Sequence, residues 1–385
     1  MNNKGFAFLG LIFLVVITSI TTLLFSQVIY DVWGITLGGY TREEIAFFNK
    51  FVASKDLIKE TYYKDVEDDV LYDGAFYGMA SALGDPYTSY LGKDVDDLLS
   101  AELDGEYVGI GIYVTSDENN VIYITEVIEG GPADKAGLLA DDKILAVDGV
   151  EYTGEDLTEA VEKIKANPGV EKKLQILRND EKIEKTIKTE KVIIEHVKSK
   201  KIEDIGYIQI ESFDKKSASQ FNKAYDELLN QNIKALIIDL RGNSGGIYDD
   251  VIEIAKRIVP QGLIVYTEDK NGKKDEIYAE GEGIKVPLAV LIDGGSASAS
   301  EVLAGAVKDR GCGILVGQNT FGKGLVQAWY KMTDGTSIKV TISKYFTPNG
   351  ECIEGKGIAP DVEVKNNGTQ DKQLAKAIEL LKKEI

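Results

Sequence analysis

Hydrophobic and polar positions follow four patterns along the chain, and the first is an uninterrupted apolar segment near the N-terminus. No charged side chain occurs from Gly5 to Tyr30, and Gly5 to Phe25 is rich in Phe, Leu, Ile and Val. A helix of about 20 such residues spans a bilayer. Lys4 precedes the segment and Asp31 follows it, so the positive-inside tendency directs the N-terminus to the cytoplasm. We therefore predict an N-terminal transmembrane helix in residues 1–30, in a single-pass cell-membrane protein whose remaining chain is extracytoplasmic.

A cleaved signal peptide and a buried core helix are the two alternatives for this segment. A signal peptide would have a shorter apolar run and a small-x-small cleavage site, which Leu24-Phe25-Ser26-Gln27-Val28 does not offer. A helix that is apolar on every side needs lipid or protein on every side, and an extreme N-terminus of a soluble protein rarely provides that. The uncleaved anchor remains our prediction.

The second pattern is helical periodicity, and it covers residues 42–91. Apolar side chains such as Ile45 and Phe48 recur at helical spacing, and the region ends at the turn sequence Gly84-Asp85-Pro86. The pattern predicts two or three helices within an N-terminal helical region, residues 31–92. Because the region carries no catalytic constellation, we expect it to serve packing or self-association, with a homodimer as the simplest result.

The third pattern consists of short β-type runs punctuated by glycine, between about residues 103 and 190. The ordered features are Gly109–Val114, Val121–Ile124, Gly131–Leu138, Asp142–Gly149, a helix over about 156–166, and two strands joined at Arg178–Glu181. This order resembles a PDZ domain, which we place at residues 93–192.

The PDZ resemblance implies a peptide-binding groove. In that family the loop before the Gly-x-Gly strand offers backbone N–H groups to a terminal carboxylate, and the bound peptide adds as an extra strand. The corresponding residues here are Tyr107, Val108, Gly109, Ile110 and Gly111. The expected partners are therefore proteins with exposed C-terminal tails.

Strands and helices alternate after residue 202. The chain has a strand at Gly206–Ile210, a helix over about 216–230, and apolar runs at Ala235–Leu240, Leu288–Ile292 and Ile314–Val316. A run that is apolar on both faces suits a strand of an α/β sheet covered by helices on both sides. Residues 193–385 are therefore predicted to form a layered α/β core with a C-terminal helix, and the whole chain a multidomain α/β protein.

Composition excludes several classes of function. With 63 acidic and 44 basic side chains, the formal net charge of −19 disfavours a phosphate-binding surface, so we expect no nucleic-acid partner. His196 is the only histidine, and Cys312 and Cys352 are the only cysteines. Sites built from several imidazoles or from thiolates alone are thereby excluded, and we expect no metal or other cofactor. The two cysteines either pair or remain free thiols.

Three glycine- and serine-rich segments of the predicted core follow strands, where α/β folds place their active sites. They are Asp239–Gly246, Asp293–Glu301 and Thr320–Gln327. Glycines in the first segment allow a nest of backbone N–H groups that suits a negative oxygen. In the second, Ser298 precedes Glu301 by three residues. Ser298 is therefore either a helix cap or a nucleophile beside the helix N-terminus, where an oxyanion is stabilised.

Lys323 in the third segment is the candidate base. A serine hydroxyl needs a base to remove its proton, and with a single histidine in the chain a lysine is the natural choice. The lysine must be neutral, which takes its pKa from about 10.4 to about 7–8. Gly322 and Gly324 flank Lys323 in an apolar and aromatic stretch, and burial in such surroundings lowers an amine pKa.

Gly295–Glu301, followed by Thr320–Gly324 and Gln327, resembles the active site of the carboxyl-terminal processing peptidases. This resemblance implies a serine endopeptidase with a core of the ClpP/crotonase type. In such an enzyme Ser298 attacks the scissile carbonyl, Lys323 takes its proton, and Gln327 orients the lysine.

The resemblance also implies an oxyanion hole and a role for the PDZ domain. The N–H of Ala299, together with one from Gly245 and Gly246, would stabilise the oxyanion. The PDZ domain would capture a substrate's C-terminal tail and help to gate access, and the tail would be cut near its end with apolar residues preferred.

Four alternatives stay open at this point. Ser296 and Ser300 are the other candidate nucleophiles, and His196 could support a Ser-His-Asp mechanism. A membrane-tethered PDZ adaptor could bind tails without cutting them, because a fold does not fix a function. A metal-dependent hydrolase would need acidic pairs such as Asp141-Asp142 or Asp249-Asp250, which fit solvated charges better.

Overall fold

A computed structural model describes residues 12–25, 40–366 and 370–385. The predicted membrane segment, residues 1–30, lies partly outside the described residues. Among the helices that are described, none is both long and apolar enough to cross a membrane. The chain divides into two units, Met1–Ala82 and Leu83–Ile385.

The first unit is helical over its described residues. Its helices are α1 (residues 12–25), α2 (Arg42–Thr61) and α3 (Asp68–Ser81). Helix α2 begins with a capping box in which Thr41 and Glu44 each accept a backbone N–H of the other. The helices predicted after residue 42 are confirmed, and there are two of them, α2 and α3. The chain beyond Gly84 forms a strand instead of a third helix.

The second unit contains the remaining elements. Its helices are α4 (Lys93–Asp104), α5 (Pro132–Lys135), α6 (Leu157–Ile164), α7 (Ser217–Asn230), α8 (Tyr248–Ile258), α9 (Ala299–Asp309) and α10 (Lys372–Leu381), with a 3₁₀ turn at Gly154–Asp156. Strands up to residue 193 are β1 (Ser89–Leu91), β2 (Glu106–Gly109), β3 (Ile112–Ser116), β4 (Ile122–Val127), β5 (Lys143–Val147), β6 (Val150–Glu151), β7 (Glu171–Arg178), β8 (Glu181–Lys188) and β9 (Glu190–Ile193). The later strands are β10 (Val197–Ile202), β11 (Ile205–Ile210), β12 (Ala235–Asp239), β13 (Gly262–Asp269), β14 (Lys274–Ala279), β15 (Leu288–Ile292), β16 (Ile314–Gly317), β17 (Leu325–Lys331), β18 (Ser337–Phe346) and β19 (Val362–Glu363).

An antiparallel sheet with its own core forms the first part of this unit. Its strand order is β3-β4-β5-β7-β8, with β6 paired to β5. The fully buried Ile124, Leu174 and Ile176 lie at its centre, and Ala160 of α6 packs against them. The predicted run Gly109–Val114 is not one strand, because Gly111 adopts φ +82° and separates β2 from β3. Strands β2 and β9 instead pair as a separate ribbon.

A second, largely parallel sheet forms the α/β core. Its order is β10-β11-β12-β15-β16-β19, and only the β10–β11 pair is antiparallel. Alternate residues of the central strands face opposite layers: Ile238 and Val290 pack in the cluster that includes α7, α8 and α9, whereas Ile237 and Leu291 pack with α10. Burial on both faces explains the continuous apolar runs of the sequence. A further sheet, β1-β18-β13-β14 with β17 on β18, stands beside this core.

Candidate active site

Three loops meet at the carboxyl ends of neighbouring parallel strands. Strands β12, β15 and β16 are adjacent, and they lead into the segments that carry Gly245, Ser298 and Lys323. Because parallel strands point the same way, all three loops reach the same edge of the sheet. The sheet therefore brings together the three segments that the sequence singled out.

Ser298 occupies the turn between β15 and α9 in a strained backbone conformation. Its φ of +54° and ψ of −115° lie outside the regions that side-chain-bearing residues normally adopt. Such strain persists where the surrounding structure fixes it, and it is typical of a nucleophile on a sharp strand-to-helix turn. Gly245 faces this turn closely, since a Cβ atom added there would lie 2.8 Å from the Ser298 Cβ. A glycine is therefore required at position 245.

The hydroxyls of Ser296 and Ser300 form hydrogen bonds within the core. Both are completely buried. The Ser296 hydroxyl donates to the Leu240 carbonyl oxygen at 2.8 Å, and the Ser300 hydroxyl donates to the Asn243 carbonyl oxygen at 2.9 Å. Ser298 is half-buried and lines an open cavity, so it is the best placed of the three to attack a substrate.

Lys323 is half-buried beside an aromatic ring. Its Nζ lies 4.8 Å from the centre of the Tyr87 ring. Burial lowers the pKa of Lys323, and the positive charge of Lys339 lowers it further, while Glu354, Asp85 and Glu301 act in the opposite direction. The net direction is the one that a lysine base requires.

A cavity of about 290 Å³ contains the side chains predicted to act together. Ser298, Lys323 and Gln327 line it, and its other walls are mostly apolar or aromatic: Leu103, Ile247, Tyr248, Val302, Leu325, Val326, Ala328, Trp329 and Tyr345. The Gln327 amide donates to the Thr341 hydroxyl at 3.3 Å. Among the described residues, Lys323 Nζ makes no hydrogen bond to Ser298 or to Gln327; hydrogen bonds between acid–base groups are often long or absent in substrate-free structures.

The candidate oxyanion donors differ in their availability. Ala299 is the first residue of α9, and its N–H lies at the helix N-terminus beside Gly245. The Gly245 N–H already donates to the Asn243 side-chain oxygen at 2.8 Å. In this conformation Gly245 therefore serves as a close-packed neighbour of Ser298, and Gly246, which lines the cavity, is the glycine better placed to donate.

Glu301 has a role that its sequence spacing did not reveal. Its carboxylate is completely buried and accepts four hydrogen bonds. One oxygen, Oε2, accepts the backbone N–H groups of Ser298 and of Lys323, each at 2.8 Å. The other, Oε1, accepts the Thr320 hydroxyl at 2.5 Å and the Gly322 N–H at 2.7 Å. Glu301 therefore ties the nucleophile segment to the base segment in addition to completing the N-terminal turn of α9.

The other polar candidates lie elsewhere. His196 does not line the cavity of Ser298, and its Nε2 lies 3.6 Å from Asp214 Oδ2. Asp142 pairs with Arg178, and the Asp250 carboxylate accepts the Ala218 N–H at 3.1 Å. Cys312 and Cys352 are free thiols.

The predicted peptide-binding residues of the PDZ domain divide into two groups. Tyr107, Val108 and Gly109 belong to β2 and pair with β9, whereas Ile110 and Gly111 form the loop before β3. The loop is fixed by its carbonyl oxygens, since those of Ile110 and Gly111 accept N–H groups at 2.7 and 3.0 Å.

The Tyr107 hydroxyl lies close to this loop. Burial and the neighbouring Tyr113 raise the pKa of Tyr107 to about 12, and the backbone N–H groups of Ile112 and Gly111 oppose that effect. The phenol therefore lies beside backbone N–H groups of the loop that the sequence predicts to bind a terminal carboxylate.

Comparisons with known proteins agree with these two domains. Residues 204–364 match the model of peptidase family S41, and residues 123–178 match the model of the PDZ domain. Residues 38–95 match a third model, described as the activating protease CtpB N-terminal domain.

Several curated and solved proteins are similar over most of the chain. The carboxy-terminal processing protease CtpA of Bacillus subtilis is 35% identical over 322 residues, which covers 83% of this chain and 69% of the relative. CtpB of the same organism is 37% identical over 325 residues, or 82% and 68% of the two chains. Among solved structures, a photosystem II D1 C-terminal processing protease shares 28% identity with a TM-score of 0.49, covering 85% of this chain and 94% of the other.

A PDZ domain joined to an S41 core defines the class as a serine-type peptidase. The extent of similarity to CtpA and CtpB then shows that the chain belongs to the family of carboxy-terminal processing peptidases.

Proposed function

We propose that this peptidase cleaves the C-terminal tails of extracytoplasmic proteins with a dyad of Ser298 and Lys323. The observation that carries the proposal is the shared cavity, which is lined by a strained serine and a lysine whose pKa is lowered by burial. Lys323 removes the Ser298 proton as the hydroxyl attacks the scissile carbonyl, and later returns it to the leaving amine.

The remaining catalytic roles follow from position. Gln327 shares the cavity with Lys323 and orients its amine. The N–H groups of Ala299 and Gly246 stabilise the oxyanion, helped by the N-terminus of α9. The apolar walls of the cavity, including Ile247, favour apolar side chains next to the scissile bond.

The PDZ domain holds the substrate tail through the loop at Ile110 and Gly111. Strand β3 lies at the edge of its sheet, so an extended peptide can add beside it. The ribbon of β2 and β9 joins this domain to the core, so that binding of a tail can influence access to the catalytic cavity.

We further propose a membrane anchor and self-association through the first unit. The support for an anchor is the uncharged stretch from Gly5 to Tyr30 and the lysine before it. The support for a homodimer is that no residue of α2 is buried, although the helix carries apolar side chains such as Phe47, Phe48 and Leu57. A second copy of the chain would cover this surface.

Proteolysis by the full-length chain tests the proposed function. Unstructured casein is incubated with the parent, with Ser298→Ala and with Lys323→Ala, all checked for folding by circular dichroism, in the presence and absence of a chelator. Cleavage by the parent alone, unaffected by chelator, is the expected result. Equal cleavage by all three proteins would mean that another residue carries the chemistry.

A matched pair of peptides tests the tail specificity. One peptide ends in a free carboxylate after apolar residues, and the other has the same sequence with an amidated C-terminus. We expect the free carboxylate to give the lower KM. Binding of the free tail without cleavage of any substrate would favour a PDZ adaptor over a peptidase.

A further inference from the structure

The surroundings of Lys323 contain two side chains to which neither the fold nor the family comparison assigns a role. They are Tyr87, which precedes β1, and Lys339 on β18. Strand β1 pairs with β18 so that Ser89 lies opposite Lys339. One strand pairing therefore brings both side chains to the candidate base.

The Tyr87 segment is firmly held. The Asp85 carboxylate accepts the Tyr87 N–H at 2.9 Å and the Thr88 hydroxyl at 2.6 Å. The Thr88 oxygen in turn accepts the backbone N–H of Thr341 on β18 at 3.0 Å. These bonds fix the half-buried Tyr87 ring over Lys323 Nζ, with 4.8 Å between the amine and the ring centre.

The ring also remains uncharged. Burial raises the pKa of Tyr87, and the nearby carboxylates of Glu354, Glu301 and Asp85 raise it further. The face of an aromatic ring attracts a cation at this distance, so Tyr87 favours the protonated amine and works against a lowered pKa of Lys323.

Lys339 is the second lysine that lines the Ser298 cavity. It lines the same 290 Å³ space as Lys323 and Ser298, and no acidic side chain is among the described residues that line it. Among the described residues, neither lysine forms an ion pair. An unneutralised cation inside a shared cavity disfavours a second positive charge there.

We propose that Lys339 is a positioning residue that keeps the ε-amino group of Lys323 unprotonated by like-charge repulsion, against the attraction of the Tyr87 ring. This inference rests on the proposed Ser298–Lys323 dyad. It adds one residue that acts through the lysine and does not touch the reacting atoms.

Acidic groups from three elements face Lys323 and oppose this effect. Asp85 lies before β1, Glu301 is on α9, and Glu354 follows β18. Asp85 and Glu301 each accept several hydrogen bonds that stabilise the local backbone, so their substitution would also disturb the structure. Glu354 accepts one backbone N–H, that of Gly324 at 2.7 Å, so Glu354→Gln is the cleanest way to remove an opposing charge.

The pH dependence of kcat/KM for a fluorogenic tail peptide, measured on the full-length protein, tests the proposal. Loss of the Lys339 charge raises the pKa of Lys323, so the acidic limb of the profile moves to higher pH in Lys339→Met. The matched variant Lys339→Arg keeps the charge, and its limb stays at the parent position. Glu354→Gln moves the limb to lower pH. A Lys339→Met limb that coincides with the parent's, or that moves to lower pH, would overturn the proposal.

A second measurement keeps the test independent of catalysis. In the Ser298→Ala background, Lys323 is acetylated with limiting acetic anhydride at a series of pH values, and its labelling is quantified by peptide mass spectrometry. The labelling midpoint should rise in Lys339→Met, even if this variant hydrolyses nothing. An unchanged midpoint would overturn the proposal, whereas full peptidase activity in Lys323→Ala would overturn the dyad itself.

Discussion

The catalytic core and the PDZ domain are both proposed to bind the substrate, but they would do so with different chemical groups. In the core the candidate groups are side chains of specific types, Ser298 and Lys323, held at the ends of strands that are buried on both faces. In the PDZ domain they are backbone N–H groups near Gly111, beside a sheet whose first strand is partly exposed. Substitutions should therefore affect catalysis in the core and affinity in the PDZ domain.

The largest expected effect comes from the dyad. Ser298→Ala and Lys323→Ala should each lower kcat by about 10³-fold or more, because removal of a nucleophile or its base leaves only binding and oxyanion stabilisation. Tail affinity, measured by fluorescence anisotropy, should not change. Ser300→Ala is the matched control. It removes a buried hydroxyl that bonds to Asn243, so it should lower Tm, and it should lower kcat far less than Ser298→Ala does.

Glu301→Gln should have the next largest effect. The neutral amide cannot accept four hydrogen bonds, so the Ser298 and Lys323 segments lose their common anchor. We expect kcat/KM to fall by about 100-fold and Tm to fall as well. Glu253→Gln, which removes an exposed partner of Lys256, is the control. Activity of Glu301→Gln close to that of the parent would mean that the carboxylate serves only as a helix cap.

A substitution in the PDZ loop should affect KM instead of kcat. Gly111 adopts φ +82°, which a side chain disfavours, so Gly111→Ala should displace the N–H groups that face the peptide carboxylate. Loss of charge-assisted hydrogen bonds of this kind raises KM for a tail peptide by about tenfold. The peptide with an amidated C-terminus should show a much smaller change. A fall in kcat with constant KM would contradict the division of roles between the domains.

His196→Gln should have the smallest effect. His196 lies outside the Ser298 cavity and pairs only loosely with Asp214, so kcat for the tail peptide should stay within about twofold of the parent. A loss of kcat comparable to that of Lys323→Ala would favour a histidine-dependent mechanism.

The sequence predicted the α/β core well because its elements depend on local patterns. The runs at Ala235–Leu240, Leu288–Ile292 and Ile314–Val316 correspond to β12, β15 and β16, and the helix over about 216–230 corresponds to α7. Strands buried on both faces and an amphipathic helix can be recognised directly from the spacing of apolar residues.

Interactions between distant segments were harder to predict. Glu301 fits a helix cap from its spacing, and its bond to the Lys323 N–H depends on how two loops meet in space. Tyr87 reaches Lys323 through the pairing of β1 with β18, which no local pattern specifies. The sequence did not predict that β2 ends at Gly109 and that Ile110 lies in the following loop. A glycine-punctuated run does not show where its strand is interrupted.

Covalent labelling with a fluorophosphonate, followed by peptide mapping, identifies the nucleophile and shows whether Lys323 activates it. We expect one adduct on Ser298 in the parent, formed faster as pH rises through the lowered pKa of Lys323, and little adduct in Lys323→Ala. Labelling of Ser296, Ser300 or another residue, or equal labelling rates in the parent and Lys323→Ala, would contradict the Ser298–Lys323 dyad.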